Sequence, residues 1–126
     1  MAQATFGTAI NCIDGRAQDP VAAWVRANAQ VDYVDTVTIA GADNALTQAS
    51  PDRLAYLREM VEISVNAHGS RIVAIAGHFG CAAFAADPEQ HAAAIRGAME
   101  VVRGWGLPVQ VVGLWVNDQW QVEQIA

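Results

Sequence analysis

Strand-like apolar runs alternate with stretches of helical period along this chain. "TFGTAINC", residues 5 to 12, reads as a first strand. "DYVDTVTIA", rich in β-branched residues, reads as a second. "RIVAIAG" is a continuous apolar run, the pattern of a strand buried on both faces. "PVQVVGLWV" is a fourth strand, and "NDQ" is a tight turn into a short fifth, "WQVEQI". Helices fill the intervals. Asp19 and Pro20 offer a cap and a first-turn proline for the first helix. Ser50 and Pro51 repeat that signal for the second, where Leu54, Leu57, Val61 and Val65 recur at helical spacing and Gly69 closes the run. Asp87 and Pro88 open the third, with Gln90 placed for a capping box and Ile95, Met99 and Val102 on its core face. "GADNALTQA", rich in turn formers, reads as a loop.

This order predicts an α/β fold. It is a single Rossmann-like domain over residues 1–126, with a parallel sheet in the order 2-1-3-4. An antiparallel fifth strand and helices on both faces complete it. In such sheets ligands bind at the carboxyl ends of the strands, where the winding direction reverses. Cys12 ends the first strand, and His78 and Cys81 follow the third. With strands 1 and 3 adjacent, all three meet at that point.

Composition narrows the function. Of the 126 residues, 53% are hydrophobic and 16% charged, a globular balance. The net charge is −6, and all seven basic residues are arginines. An acidic surface without a basic run argues against nucleic-acid binding. No stretch reaches the roughly 18 apolar residues of a membrane span. "MAQATFG" has neither the basic nor the apolar region of a signal peptide, so a cytoplasmic protein is expected. Two cysteines in that setting are thiols or metal ligands rather than a structural disulfide.

Cys12, His78 and Cys81 suit a borderline-soft ion such as Zn²⁺. His78-x-x-Cys81 is a short turn able to place two ligands on one ion, and three protein ligands leave a fourth position open. Asp14 follows Cys12 by two residues and Arg16 follows Asp14 by two. A guanidinium can hold a carboxylate by two parallel hydrogen bonds and keep it ionised. Blander readings of the same residues are buried core thiols, a redox pair, and a surface ion pair between Asp14 and Arg16.

"CIDGR" resembles the Cys-x-Asp-Ser-Arg motif of β-class carbonic anhydrases. "IVAIAGHFGCAAF" resembles the family's strand followed by His-x-x-Cys-Gly-Ala, and "TIAGADNAL" is a weaker echo of its Arg-Asn-Ala-Gly-Asn loop. "VVGLWVNDQWQVEQI" is similar to its closing strand pair. The resemblance implies one zinc per chain on Cys12, His78 and Cys81, with Asp14 and Arg16 as the catalytic dyad. It implies reversible hydration of carbon dioxide to bicarbonate by a zinc-bound hydroxide. It also implies a homodimer or higher homo-oligomer, here expected to bury a sheet edge or the fifth strand. The sequence departs from the family at Gly15, usually Ser, at Ala82, usually Gly, and at Ile39, in place of an Arg. The family's helical arm before strand 1 has no counterpart here. These departures keep two alternatives open: hydrolysis of carbonyl sulfide or carbon disulfide, and a non-catalytic zinc protein.

The remaining candidates are structural. His68 suits the carboxyl end of the second helix, far from the proposed metal. His91 reads as a surface residue in the first turn of the third helix. Trp24, Trp105, Trp115 and Trp120 read as core or interface residues, and an exposed Trp115 or Trp120 would mark a partner surface.

Overall fold

In the computed structural model, residues 3–126 are described. The strands are β1 (Phe6–Asn11), β2 (Tyr33–Thr38), β3 (Ile72–His78), β4 (Gln110–Val116) and β5 (Val122–Gln124). The helices are α1 (Gly15–Ala29), α2 (Ala42–Gln48), α3 (Pro51–His68) and α4 (Pro88–Arg103). One sheet runs β2-β1-β3-β4-β5, as the alternation predicts. The first four strands are parallel and β5 returns antiparallel along β4.

The sheet is covered on both faces. Val21 and Val25 of α1 pack on Ala9, Ala74, Ala76, Val112 and Leu114. On the other face Leu46, Leu57, Val61, Ile95, Met99 and Val102 pack on Ile10, Val37, Val73 and Ile75. Every residue of β3 is buried, which is why its sequence is an unbroken apolar run. Burying one Val or Ile side chain contributes roughly 1.5–3 kcal/mol. The same burial ties the strand ends, and whatever they carry, to a rigid core.

Two local expectations are corrected. α1 begins at Gly15, not at Asp19, and Pro20 lies inside it. Asp14 is the cap: its carboxylate accepts from the Arg16 amide at 2.9 Å. Pro20 deprives the Arg16 carbonyl of its helical partner, yet burial of Ala17, Val21 and Val25 keeps the helix continuous. The segment read as a loop contains α2. Seven residues are too few for a helix to form on propensity alone. Burial of Ala42, Asp43 and Leu46 holds it, and Gly97 lets Thr47 approach α4 closely. β5 is also shorter than expected, because Trp120 belongs to the turn rather than the strand.

The other end signals act as read. Ser50 accepts from the Arg53 amide and Gly69 closes α3 in the left-handed region. Asp87 and Gln90 form a complete capping box.

Candidate metal centre

Because β1 lies beside β3, their carboxyl ends open at the same edge. Asn11, the last residue of β1, organises the exit. Its side-chain oxygen accepts from the Cys12 amide at 2.8 Å, and its nitrogen donates to the Ala17 carbonyl at 3.1 Å. Cys12 is thereby turned inward at the foot of α1. His78 is the final residue of β3, and Cys81 follows in a turn that Gly80 makes at φ 70°. The Phe79 amide donates to the Val116 carbonyl at 2.8 Å, anchoring that turn to β4.

The structure brings Cys12, His78 and Cys81 together. One ligand atom from each lies within 4.8 Å of the others, and all three residues are buried. His78 Nδ1 is 2.8 Å from the Phe79 carbonyl, which can only accept, so Nδ1 carries the proton. His78 Nε2 faces the sulfurs and is the one buried side-chain polar atom without a hydrogen-bond partner among the described residues. A buried lone pair left unpaired is costly. A metal ion shared with two thiolates would supply its missing partner.

Backbone amides serve the sulfurs. Gly41 at the start of α2 donates to Cys12 Sγ at 3.4 Å. Burial pushes the Cys81 thiol above its ordinary pKa, and amide contacts from Phe84 and Ala83 partly offset this. Without a cation nearby, Cys81 therefore keeps its proton at neutral pH.

Asp14 and Arg16 are paired by three contacts. Arg16 donates from Nε to Oδ1 at 3.1 Å and from Nη2 to Oδ2 at 2.7 Å, and its backbone amide reaches Oδ1. These bonds hold the Asp14 carboxyl down at about 2, led by the side-chain contact from Arg16. Asp14 Oδ2 stands 4.0 Å from His78 Nε2. A cavity of about 240 Å³ opens here, lined by Cys12, Ile13, Asp14, Ala40, Ala82 and Ala83. Apart from Asp14 and Cys12, its walls are apolar, three alanines and Ile13.

Residues 2–126 match a family model described as "Putative carbonic anhydrase". The chain belongs to that carbonic anhydrase family. No curated protein matches its sequence. Solved β-carbonic anhydrases share the fold. Isoform I of Trichomonas vaginalis is 17% identical with a TM-score of 0.62, covering 99% of this chain and 87% of that one. A tetrameric β-carbonic anhydrase of Sordaria macrospora is 12% identical with a TM-score of 0.62, over 99% of this chain and 82% of that one. The wild-type CafD enzyme of Aspergillus fumigatus is 11% identical with a TM-score of 0.65, over 100% and 91%. At these identities the likeness is one of fold.

Other residues of this carbonic anhydrase family member fall differently from their sequence reading. His91 is buried, not on the surface. Its Nδ1 is 2.6 Å from Asp43 Oδ2, and its ring packs against Phe84 and Trp115. The pair sits behind the centre: a side chain at Gly77, next to His78, would collide with the Asp43 carboxylate. The missed signal was α2, since only a helix there turns Asp43 inward. His68 ends α3 as expected, at the opposite edge, with Nδ1 2.6 Å from Asp35 Oδ2 and its ring stacked on Phe6. Trp24, Trp105, Trp115 and Trp120 are all half-buried against the two cores. Trp120 also reaches the site, 6.2 Å from the His78 ring, which nothing in its sequence context announced.

Proposed function

We propose that this chain is a zinc-dependent carbonic anhydrase that reversibly hydrates carbon dioxide to bicarbonate. It acts as one domain over residues 1–126, with one zinc per chain on Cys12, His78 and Cys81 and with Asp14 and Arg16 as the catalytic pair. The donor set fits the metal. Two thiolates and a neutral imidazole suit Zn²⁺, and the unpartnered His78 Nε2 already has its proton-free face turned to both sulfurs.

When bound, zinc supplies the Lewis acidity that makes water nucleophilic near neutral pH. The chain's own residues do the rest. The Phe79 carbonyl fixes the His78 tautomer, and the Gly41 amide supports the Cys12 sulfur. Asp14, kept ionised by Arg16, accepts a hydrogen bond from the attacking water and so aims its lone pair. Ile13, Ala40, Ala82 and Ala83 offer carbon dioxide an apolar wall with few competing hydrogen bonds. The linear molecules carbonyl sulfide and carbon disulfide suit the same wall and are the alternative substrates.

One observation favours catalysis over a closed structural site. Arg16 holds both Asp14 oxygens, so moving the carboxylate onto the ion as a fourth protein ligand would cost two charge-assisted hydrogen bonds. Where it stands, Asp14 keeps lone pairs to accept from water. The proposed protein is a cytoplasmic homo-oligomer; no described helix is long and apolar enough to cross a membrane. The β2 edge, beside the exposed Tyr33, Tyr56 and Ile63, is the face proposed for assembly. Metal analysis with a stopped-flow assay of carbon dioxide hydration tests the reading. About one zinc per chain with zinc-dependent hydration is expected; a protein that cannot take up zinc contradicts it.

A further inference from the structure

We propose that Trp120 is a positioning residue: its indole clamps the Arg16 guanidinium so that Arg16 holds Asp14 in place. This rests on the proposed role of the Asp14–Arg16 pair.

The first observation is a contact. Arg16 Cζ lies 4.6 Å from the centre of the Trp120 ring, within the range of a cation–π interaction. Three chain segments converge there: Arg16 from the first turn of α1, Trp120 from the β4–β5 turn, and Gly80 from the turn after β3. A Cβ at Gly80 would lie 3.8 Å from Arg16 Nη2. The guanidinium thus has a neighbour on more than one side, although the Arg16 side chain is 59% exposed.

The second observation is the backbone of Trp120. Its φ is 59°, in the left-handed region that a bulky aromatic residue rarely adopts. The turn over-determines it. Asn117 Oδ1 accepts from the amides of Gln119 and Gln121, both at 3.0 Å. The Trp120 amide donates to the Asn117 carbonyl at 3.0 Å, and the Asn117 amide donates to the Gln121 carbonyl at 3.0 Å. Glycine would satisfy this geometry without strain. A tryptophan here makes sense through its side chain, and that side chain reaches Arg16 and the ring of His78.

The consequence follows from exposure. An ion pair of this kind is weakly ordered in water, because two side chains must give up their freedom to hold it. The indole restricts Arg16 before the pair forms. Arg16 then presents Nε and Nη2 together, and Asp14 cannot rotate away without losing both bonds.

The test reads Arg16 directly, in the full chain. Arginine side-chain NMR, with Arg16→Lys identifying the resonance, should find the Arg16 Hε shifted upfield by the indole ring current and slow to exchange. Trp120→Gly, which suits the positive φ, should return it to the range of free arginines. Trp120→Phe should keep part of the upfield shift. Backbone shifts of β3 and β4 report whether the fold is intact. On zinc-loaded protein, Trp120→Gly should lower kcat for hydration about tenfold with little change in KM, and Trp120→Phe should recover much of it. An Arg16 Hε in the free range in the wild type, or unmoved by Trp120→Gly, overturns the clamp. A collapsed shift with unchanged kcat overturns the positioning role. If the zinc-loaded wild type hydrates no carbon dioxide, the proposed function falls, and the NMR arm still decides the clamp.

Discussion

His78 Nδ1 donates to the carbonyl of Phe79, its own neighbour, at 2.8 Å, and this leaves Nε2 bare and facing Cys12 and Cys81. The strand end thus carries a proposed ligand whose tautomer the protein itself sets. Long-range ¹⁵N NMR of the metal-free protein should show the His78 proton on Nδ1. A proton on Nε2 instead would mean that the site is not built for a metal.

Metal uptake should depend on pH. Burial raises the Cys81 thiol, so binding a cation there must displace a proton. Zinc affinity measured against a competing chelator should rise from pH 6 to pH 8, with proton release seen by calorimetry in two buffers. Cys81→Ser should remove most of the zinc, since a hydroxyl is a poor ligand. Full zinc content in that variant would exclude Cys81 as a ligand.

Acid stability should carry the mark of Asp14. Its carboxyl lies at about 2 in the fold, below its ordinary 3.8. A lowered folded value means stability that is present above about 4 and is lost as pH falls toward about 2. Solvent screening at this partly open position leaves an effect on the order of 1 kcal/mol. Denaturant melts of metal-free wild type and Asp14→Asn should differ at pH 6 and converge near pH 2. A constant difference across that window would show that the ion pair contributes nothing.

The parallel sheet and the place of both cysteines at its carboxyl edge were legible because strand burial writes itself as apolar runs and because the alternation of strands and helices dictates crossovers, whereas the adjacency of β1 and β3 was expected from the common 2-1-3-4 order and is seen in the fold. The Asp14–Arg16 pairing was legible from spacing. Four features were not. Asp14 as the cap of α1 was hidden by the stronger local signal of Asp19 and Pro20. α2 was hidden because its stability comes from burial of Ala42, Asp43 and Leu46 rather than from propensity. The Asp43–His91 pair followed α2 out of sight, since partners 48 residues apart leave no local pattern. Trp120 was read as a core or interface residue opening the fifth strand, and it is half-buried; its approach to Arg16 depends on a turn conformation that tryptophan rarely takes.

The Asp43–His91 pair should matter to stability more than its neighbours on the surface. Both side chains are 1% exposed, so His91→Leu leaves Asp43 Oδ2 buried without its partner, with only the Asn44 amide still donating to Oδ1. A loss of about 3 kcal/mol is expected, and a double change to Asp43→Leu and His91→Leu should recover part of it. Gly77→Ala, which drives a methyl into Asp43, should cost about 1–3 kcal/mol by the same route. Thermal melts within 0.5 kcal/mol of wild type for His91→Leu would show that the pair is dispensable.

Assembly is expected through the free β2 edge. Light scattering at micromolar concentration should give a dimer or larger species, and Tyr33→Lys should shift it toward monomer by placing a charge on that edge. A clean monomer in the wild type contradicts the assembly.

The most direct measurement compares stopped-flow hydration of carbon dioxide by zinc-loaded wild type and Asp14→Asn, with zinc content determined on the same samples. Hydration by the wild type, falling about 10²-fold in Asp14→Asn while zinc stays bound, is the expected result. Arg16→Ala should fall similarly, and the two losses should not add, because both residues serve one hydrogen bond. A zinc-loaded wild type without hydration, or an Asp14→Asn variant as fast as the wild type, would contradict the assignment of this site as a carbonic anhydrase centre run by Asp14 and Arg16.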